Sequence, residues 1–559
     1  MNKEIINAYC EWSLFANEDK DLIKELKKMS SDEIFDAFYK ELSFGTAGLR
    51  GVLGAGTNRM NIYIVRKATQ GLANYLRKEI NHRKIKVAIG YDSRIKSNVF
   101  AREAASVLAE NNIHVYFYKQ LIPAPCVSFA TRELHCDAGI MITASHNPAK
   151  YNGYKVYGND GCQISSLMAE KITKEISRIN PFDVKTSNFN VELNAKNIEF
   201  IGQDLITKFI DRVKQESVLG NEEINKSVSI VYSPLNGTGL LPVTRILKEC
   251  GFNNVKIVRE QAKPNGNFPT CPYPNPEIRE AMELGIRYAQ NYKADLLIAT
   301  DPDCDRVGIA VKDKNNYKLL SGNQTGVLLL NYIAEMRTKN GTMPKQPHAV
   351  KTIVTSDMVD EVAKQYKIVL HSVLTGFKNI GGVIRALETK KQEKNFILGF
   401  EESYGYLTGT HVRDKDAVNA SLLIAEMFAY YKTHGITLID KLNELYKKHG
   451  FFLDKLDTFT FEGASGFKKM QDIMSSFRKS IKVIGGLKVK KTVDYLKGVD
   501  GLPKSDVIKF YLANGSTVVV RPSGTEPKLK LYSSIRAKDE KEGLIIYKKI
   551  IESLRIKFK

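Results

Sequence analysis

Residues 138–148 read Ala-Gly-Ile-Met-Ile-Thr-Ala-Ser-His-Asn-Pro. The run Ala138–Ile142 is short and apolar, which is typical of a strand buried in a sheet. The polar segment after it closes with a proline, which disfavours helix at the preceding residue and lacks a backbone donor, so we expect a loop. Ser145 at a strand end, beside His146 and near Lys155, is a candidate nucleophile. A surface turn without catalytic function is an equally good interpretation, because serine and asparagine are also common in turns.

The same layout, an apolar strand followed by a polar loop, occurs twice more. Ala294–Thr300 precedes Asp301, and Asn395–Phe400 precedes Glu401. Strands alternating with helical stretches favour the α/β class. Because ligands bind outside the carboxyl ends of strands in α/β sheets, successive α/β units would direct these loops into one cleft.

Other segments are predicted from composition and periodicity. Helical spacing is found in residues 1–40, Phe100–Glu110, Leu205–Val213, Val327–Met336 and Leu438–His449. Strands are predicted at His114–Tyr118, Val228–Tyr232 and Ile353–Ser356, a strand running into a polar turn at Ile85–Arg94, and a glycine-flanked loop at Leu374–Gly382.

The overall composition is that of a globular protein of several domains. The chain has 559 residues, 43% of them hydrophobic and 26% charged, with a net charge of +21. No apolar run approaches the roughly 18 residues of a membrane span, and the N-terminus does not resemble a signal peptide. The lysines are dispersed, so we expect no nucleic-acid partner. A basic surface also suits an enzyme that attracts phosphate dianions.

The seven cysteines have no Cys-x-x-Cys spacing. Their odd number and scattered positions argue against a disulfide framework or a zinc site and fit a reducing cytoplasm. Walker, His-Glu-x-x-His and Gly-x-Ser-x-Gly motifs are absent from the sequence, which argues against those nucleotide-binding, metalloprotease and hydrolase sites.

Three carboxylates follow the strand Ala294–Thr300, at Asp301, Asp303 and Asp305. This spacing lets them converge on one hard cation, and aspartates that leave room for a phosphate oxygen favour Mg²⁺. An EF-hand is excluded, because Arg306 and Lys312 occupy the positions that need glycine and glutamate.

Three further loops have the residue types of a phosphate or sugar site. Arg50 lies among glycines that permit close backbone approach, although such a stretch is also found in simple turns. Residues 521–528 read Arg-Pro-Ser-Gly-Thr-Glu-Pro-Lys, which favours a phosphate cradle. Glu401–Gly405 is either a strand-to-turn junction or a clamp for sugar hydroxyls.

Four motifs together resemble the α-D-phosphohexomutases. They are Thr143–Pro148, Asp301–Arg306, Glu401–Gly405 and Arg521–Thr525, in the order found in that family. The forms Phe-Gly-Thr-Ala-Gly-Leu-Arg-Gly and Thr-Gly-Phe-Lys are similar to its phosphoglucomutase and phosphopentomutase branch. Gly405 stands where some mannose-accepting bacterial relatives have histidine.

The resemblance implies four domains around a central cleft: three related α/β units with mixed sheets and a smaller C-terminal α+β domain. We expect residues 1–205 to hold the phosphoserine loop and residues 206–321 the metal loop. Residues 322–448 would hold the sugar-binding loop and residues 449–559 the phosphate-binding loop. A monomer or homodimer without membrane association is expected.

The resemblance also implies roles for individual residues. Ser145 would carry the transferable phosphoryl group, and Asp301, Asp303 and Asp305 would hold Mg²⁺ together with a phosphoserine oxygen. Candidates for charge stabilisation and proton transfer are Arg50, His146, Lys155 and Lys378. Candidates for substrate binding are Arg306, Thr375, Gly376, Glu401, Ser403, Arg521, Ser523, Gly524 and Thr525.

The implied reaction interconverts glucose 1-phosphate and glucose 6-phosphate through a bisphosphate, with glucose 1,6-bisphosphate as activator. Ribose, deoxyribose or mannose phosphates are alternative substrates. A non-catalytic sugar-phosphate sensor on the same fold is a further alternative, against which the intact serine, metal and phosphate motifs argue.

Overall fold

The computed structural model describes residues 2–45, 48–461, 463–499, 501–523, 528–555 and 557–558. The chain divides into two compact units. The first extends to Leu320 and includes Ile384–Lys394 and Tyr404–Ala429. The second comprises Ser321–Val383, Asn395–Ser403 and Tyr430–Lys559.

The first unit begins with three helices, α1 (Lys3–Phe15), α2 (Lys20–Leu26) and α3 (Ser31–Phe38), which confirms the helical prediction for this region. Trp12 is only 1% exposed. Its ring lies 6.0 Å from that of Phe38 and 5.6 Å from that of Tyr63, both edge-on. Because aromatic burial dominates small cores, this cluster anchors the helices to the unit.

A six-stranded mixed sheet follows, in the order β1-β5-β4-β2-β3-β6. Its strands are β1 (Leu49–Val52), β2 (Lys86–Tyr91), β3 (His114–Tyr118), β4 (Ala138–Ile142), β5 (Tyr151–Gly158) and β6 (Ile198–Ile201). The helices are α4 (Ile62–Glu79), α5 (Ser97–Glu110), α6 (Ala124–Glu133), α7 (Ser166–Ile176), α8 (Phe189–Asn194) and α9 (Gln203–Lys214). β4 is buried along its whole length, between parallel β2 and antiparallel β5.

The second sheet has the order β11-β10-β9-β7-β8. Its strands are β7 (Ile230–Ser233), β8 (Val255–Ile257), β9 (Leu296–Thr300), β10 (Val307–Asp313) and β11 (Asn316–Leu320). Its helices are α10 (Leu240–Glu249), α11 (Arg259–Ala262) and α12 (Arg279–Asn291). β9 is buried throughout and pairs in parallel with β7, so the loop after each strand lies at the same edge.

The next region contains α13 (Gly322–Lys339), β12 (His348–Thr352), α14 (Met358–Gln365), β13 (Val369–Val373), α15 (Phe377–Thr389), β14 (Phe396–Glu401), β15 (Gly405–Leu407), α16 (Ala417–Thr433) and α17 (Leu438–His449). β12 pairs in parallel with both β13 and β14. Two predictions are wrong here. Residues 353–356 form a turn after β12 instead of a strand, and the predicted loop Leu374–Gly382 is helical from Phe377 onward.

The remaining residues of the second unit form an antiparallel sheet in the order β16-β21-β20-β19-β18-β17. The elements are β16 (Phe451–Thr460), α18 (Gly463–Arg478), β17 (Val483–Ile484), β18 (Leu487–Asp494), β19 (Ile508–Leu512), β20 (Thr517–Pro522), β21 (Lys528–Ala537) and α19 (Glu540–Arg555). Among the described residues, no helix combines the length and apolar character needed to cross a bilayer.

Candidate active site

Ser145 lies three residues after β4 and is 3% exposed. Its φ of 52° is in the left-handed region, which costs a non-glycine residue about 1–3 kcal/mol and persists only where the surroundings impose it. Its backbone N–H donates to Thr143 Oγ1 at 2.8 Å. The loop is therefore a constrained structure rather than an ordinary surface turn.

Arg94, which follows β2, imposes much of that conformation. Its Nη1 donates to the carbonyls of Pro148 and Tyr151, both at 3.0 Å. Its Nη2 donates to the carbonyl of Ser145 at 2.5 Å and to that of Asn147. Because the guanidinium is buried and its donors form a rigid fork, one side chain fixes four points of the loop.

The Ser145 hydroxyl faces the carboxylate loop that follows β9. Its Oγ donates to Asp301 Oδ2 at 2.8 Å and lies 3.1 Å from His146 Nδ1. Asp301 is held in turn, because its Oδ1 accepts from the backbone N–H groups of Asp305 and Arg306 at 3.1 and 3.0 Å. The structure thus brings together two loops that are 156 residues apart.

Asp301, Asp303 and Asp305 form the predicted carboxylate cluster. One oxygen from each lies within 4.8 Å of the others, and all three residues are buried. Asp303 Oδ1 and Asp305 Oδ1 have no hydrogen-bond partner in the described part of the chain. Buried acceptors that lack donors are costly, and a hard divalent cation satisfies such oxygens. The residues present therefore fit a metal ion.

Two lysines balance the charge of this cluster. Lys155, on β5, donates to Asp303 Oδ2 at 2.7 Å and to Asp305 Oδ2 at 3.2 Å. Lys415 Nζ lies 3.1 Å from Asp305 Oδ2 and donates to Asp414 Oδ1 at 2.9 Å. Paired charges of this kind make the burial of several carboxylates tolerable.

The pKa values of two carboxyl groups in the cluster, Asp301 and Asp305, are shifted in opposite directions. Burial, together with the charges of Asp303 and Asp305, raises the pKa of Asp301. Burial opposes ionisation of Asp305 as well, but the Lys415 and Lys155 ammonium groups hold its pKa below the usual range. The negative charges of the carboxylates beside Lys155 raise its pKa by more than burial lowers it. Lys155 is therefore a cation at neutral pH.

His146 has a different electrostatic setting. Burial lowers its pKa, and the positive charges of Arg306 and Arg50 lower it further. The imidazole is therefore neutral at pH 7 and able to accept a proton. Its Nδ1 lies 3.1 Å from Ser145 Oγ, within reach of the hydroxyl proton once the hydroxyl turns away from Asp301.

Two arginines lie at the edges of this arrangement. Arg50 is exposed on β1 and donates from Nη1 to Asn147 Oδ1 at 3.2 Å, which places it beside the serine loop. Arg306 is half-buried, directly follows the carboxylate loop and contacts Glu277 Oε1 at 3.4 Å. Both add positive charge near His146.

The second unit holds the other predicted residues. Gly376 donates its backbone N–H to Glu401 Oε1 at 2.8 Å, so these two predicted substrate-binding residues are neighbours. Gly376 has a φ of 104°, a conformation that favours glycine. Thr375 is half-buried immediately before it, and Ser403 is half-buried after β14. Lys378 lies in the first turn of α15, not in a loop.

The last predicted loop is described only in part. Arg521 is half-buried near the end of β20. Ser523 donates its backbone N–H to the carbonyl of Lys528 at 2.7 Å, which closes the neck of the β20–β21 connection. Gly524 and Thr525 lie outside the described residues.

Sequence reasoning did not select Arg94 or Lys415 as site residues. Arg94 had a usable signal: it follows a predicted strand, and polar residues at the carboxyl ends of neighbouring parallel strands meet at one edge. Lys415 lies in the connection between β15 and α16, 110 positions beyond Asp305. Its sequence context offered no such signal.

Family models for all four domains of the phosphoglucomutase/phosphomannomutase family match this chain in order. Domain I matches residues 41–182, domain II 207–315, domain III 321–449 and the C-terminal domain 474–544. The chain belongs to this family. The resemblance to the phosphohexomutases is thereby confirmed, as is the four-domain fold. The predicted boundaries near residues 205, 321 and 448 stay predictions.

Two curated relatives that match nearly the whole chain are named phosphoglucomutase. A phosphoglucomutase of Staphylococcus saprophyticus is 36% identical over 538 residues, covering 94% of this chain and 96% of its own. A phosphoglucomutase of Staphylococcus aureus (strain MRSA252) is 38% identical over 557 residues, covering 96% of both chains.

Solved structures share the fold. The open form of pp63/parafusin, a phosphoglucomutase from Paramecium, has a TM-score of 0.71 at 20% identity, covering 93% of this chain and 95% of that one. A phosphoglucomutase/phosphomannomutase family protein from Burkholderia thailandensis has a TM-score of 0.68 at 17% identity, covering 93% and 98%.

Proposed function

We propose that this protein is a phosphoglucomutase that interconverts glucose 1-phosphate and glucose 6-phosphate. Ser145 carries a phosphoryl group, donates it to the free hydroxyl of the sugar phosphate, and recovers a phosphoryl group from the resulting glucose 1,6-bisphosphate. The supporting observation is the buried Ser145 hydroxyl, 2.8 Å from Asp301 in a metal-type cluster. The chain that carries it is 36% and 38% identical to full-length phosphoglucomutases.

The surroundings of Ser145 suit phosphoryl transfer better than acyl transfer. Phosphoryl transfer depends on positioning and on stabilising charge spread over the phosphoryl oxygens. Lys155 and Arg50 supply positive charge around the serine loop. Lys155 remains protonated because of its raised pKa, so we assign it an electrostatic role and not that of a base.

We assign the metal site to Mg²⁺, held by Asp301, Asp303 and Asp305 together with an oxygen of the phosphorylated Ser145. All of these ligands are hard oxygens, which Mg²⁺ prefers. When bound, the cation supplies neutralisation of the negative charge on the transferring group. Lys155 and Lys415 hold two of the three carboxylates in place.

His146 is the proton acceptor for Ser145 when the serine regains a phosphoryl group. The serine Oγ forms a bond to phosphorus as the bond between phosphorus and the bisphosphate oxygen breaks. The hydroxyl proton passes to His146 Nδ1, and the departing sugar oxygen takes up a proton from Lys378 to become the hydroxyl of the product. The lowered pKa of His146 keeps its Nδ1 free to accept the serine proton. Lys378 remains the candidate for proton exchange with the sugar hydroxyl.

The sugar and its non-reacting phosphate are assigned to residues of the second unit. Glu401, Ser403, Thr375 and Gly376 bind sugar hydroxyls, and the contact between Gly376 and Glu401 supports this assignment. Arg521 and Ser523, with Gly524 and Thr525, bind the phosphate. Arg306 is a further candidate for a charged contact to the substrate.

Glucose 1,6-bisphosphate is the proposed activator, because it regenerates the phosphorylated serine. The proposed location is the cytoplasm, since none of the seven cysteines forms a disulfide. We propose a monomer or homodimer that binds neither nucleic acid nor membrane.

A substrate panel tests the proposal. Turnover of glucose, ribose and mannose 1-phosphates is measured with Mg²⁺ and the matching bisphosphate. We expect kcat/KM for glucose 1-phosphate to exceed the others by about tenfold or more. Faster pentose turnover would reassign the protein as a phosphopentomutase, and faster mannose turnover as a phosphomannomutase. Binding without turnover would indicate a sugar-phosphate sensor.

A further inference from the structure

A buried cluster of charges lies in the second unit, between β12 and the C-terminal sheet. Lys351 on β12 and Lys509 on β19 are 1% and 4% exposed. Both ammonium groups donate to Asp357 Oδ1, at 3.0 and 3.3 Å. Lys351 also donates to Asp360 Oδ2. Because the loss of one partner would leave buried charges unpaired, the cluster fixes the positions of the segments that contribute to it.

Asp357 holds the base of one hairpin of the C-terminal sheet. Its Oδ2 accepts from Thr517 Oγ1, at the start of β20, at 2.5 Å. Its backbone N–H donates to Ser534 Oγ, on β21, at 3.3 Å. Thr517 and Ser534 lie directly opposite each other in the β20–β21 pair. One residue thus fixes both strands of the hairpin at the same end.

The other end of this hairpin carries the proposed phosphate-binding residues. Arg521 follows Thr517 by four residues on β20, which is roughly 13 Å along an extended strand. Ser523 and Lys528 close the neck of the connection beyond it. Six residue pairs link the two strands from Thr517 to Pro522. The hairpin therefore moves as one body, and a shift at its base displaces its tip.

The other side of the charge cluster leads to the proposed sugar-binding residues. Lys351 pairs with Phe400 in the β12–β14 ladder, and Glu401 is the next residue of β14. Beside it, Thr352 Oγ1 lies 3.3 Å from Glu402 Oε2. Lys351 is therefore attached to the strand end at which the sugar-binding residues begin.

Tyr532, on β21, lies close to both sets of residues. It is 6% exposed and belongs to an apolar cluster that includes Ile353 and Val519. Burial raises the pKa of its hydroxyl, the charge of Glu402 raises that pKa further, and Arg521 opposes the rise. The hydroxyl is thus near charged residues of both loops, so the two loops are neighbours.

We propose that Asp357 is a positioning residue that fixes the spacing between the sugar-binding residues at the end of β14 and the phosphate-binding residues at the end of β20. This inference rests on the proposed function, in which one sugar phosphate contacts both sets. A ligand that spans two loops binds well only where their spacing is preorganised to match it. Inorganic phosphate occupies only one loop at a time, so its binding does not depend on the spacing.

The test measures the binding of glucose 6-phosphate and, separately, of inorganic phosphate to the full-length protein by titration calorimetry. Thr517→Val keeps a branched side chain that suits a strand but removes the hydroxyl that donates to Asp357. Ser534→Ala removes the second contact. Thr517→Ser is the rescue variant, because it restores the hydroxyl. Thr458→Val, at an exposed position on β16 of the same sheet, is the matched control.

We expect the dissociation constant for glucose 6-phosphate to rise about fivefold or more in Thr517→Val and in Ser534→Ala, with that for inorganic phosphate unchanged. The KM for glucose 1-phosphate should rise in parallel. Thr517→Ser and Thr458→Val should bind both ligands like the parent. Unchanged binding of glucose 6-phosphate in Thr517→Val, or equal weakening of both ligands, would overturn the positioning role. Ser534→Ala decides the question if Thr517→Val fails to fold.

The parent protein separates this inference from the proposed function. A parent that binds glucose 6-phosphate without converting it would contradict the proposed phosphoglucomutase activity alone, and the binding comparison would still decide the role of Asp357. A parent that binds no glucose 6-phosphate would overturn both.

Discussion

Ser145 holds a backbone conformation that it would not adopt alone, and Arg94 is the residue that stabilises it. Four loop carbonyls accept from one buried guanidinium. Without these contacts the loop would sample other conformations, in which the hydroxyl is misaligned. Preorganisation of Ser145, the proposed nucleophile, therefore depends on a residue that is not expected to react itself.

Replacing Arg94 with lysine tests this positioning role. Lysine cannot reproduce the planar fork, so at least two of the four carbonyl contacts are lost. We expect kcat to fall about 100-fold while KM for glucose 1-phosphate stays nearly constant. The matched control is Arg259→Lys at an exposed position, which should behave like the parent enzyme. A change confined to KM would contradict the role assigned to Arg94.

Gly405 leaves the space in which Lys415 reaches Asp305. A Cβ at this position would lie 2.1 Å from Lys415 Cδ. Because a lysine side chain is flexible, Gly405→Ala should displace Lys415 and leave the backbone intact. We expect weaker Mg²⁺ activation, by about tenfold, with little change in Tm.

The control for Gly405→Ala is Gly382→Ala in α15, where a Cβ would meet no described atom within 4 Å. This variant should keep full activity and gain about 0.5–1 kcal/mol of stability, because alanine favours helix. Unchanged Mg²⁺ dependence in Gly405→Ala would show that Lys415 is dispensable for the cluster.

At the scale of elements, α16 carries a buried acid that is independent of the site. Glu426 is 1% exposed, and burial raises its pKa to about 7. Hydrogen bonds from Ser217 and the backbone of Val218 only partly oppose this rise. The folded protein binds the Glu426 proton more tightly than the unfolded chain does, so the protonated side chain stabilises the fold below the unfolded pKa of 4.5. This contribution to stability is lost as pH rises through about 7.

Glu426→Gln tests this pH dependence. The amide stays neutral, so the variant should gain about 1–3 kcal/mol of unfolding free energy over the parent at pH 8, and much less at pH 5. Urea unfolding at both pH values measures the difference. Glu552→Gln, at an exposed position on α19, is the matched surface control. An equal effect of Glu426→Gln at both pH values would contradict the raised pKa.

Sequence-based prediction was correct for elements whose apolar runs are bounded by polar turns. His114–Tyr118 and Ala138–Ile142 are strands with the predicted bounds. The prediction failed at Ile353–Ser356, because Val354 N–H donates to Thr352 Oγ1 and Thr352 N–H to Thr355 Oγ1. Such local side-chain hydrogen bonds stabilise a turn where β-branched residues favour a strand.

The start of α15 was missed for a different reason. The helix contains two adjacent glycines, and because glycine has a low helix propensity, they favour the prediction of a loop. In the structure, however, Phe377 and Ile380 are 2% and 0% exposed. Their burial at helical spacing outweighs the cost of the glycines, which is about 1 kcal/mol each. Tertiary packing of this kind is not visible in a local pattern.

At the scale of the whole molecule, the candidate site depends on contacts between distant parts of the sequence. Motifs identified the serine and the three aspartates, because strand ends and carboxylate spacing are local features. That Lys415 and Lys155 share Asp305 follows only from the fold. The net charge of +21 is consistent with attraction of phosphorylated substrates, but it does not identify any one binding residue.

The central claim is that Ser145 carries the transferred phosphoryl group, and one measurement tests it most directly. The protein is incubated with Mg²⁺ and glucose 1,6-bisphosphate labelled in its phosphates, analysed by peptide mass spectrometry, and then chased with unlabelled glucose 1-phosphate. We predict one labelled phosphoryl group on Ser145, which passes to sugar bisphosphate during the chase, and neither label nor turnover in Ser145→Ala. Full turnover by Ser145→Ala, or turnover of the parent without phosphate on Ser145, would contradict the account.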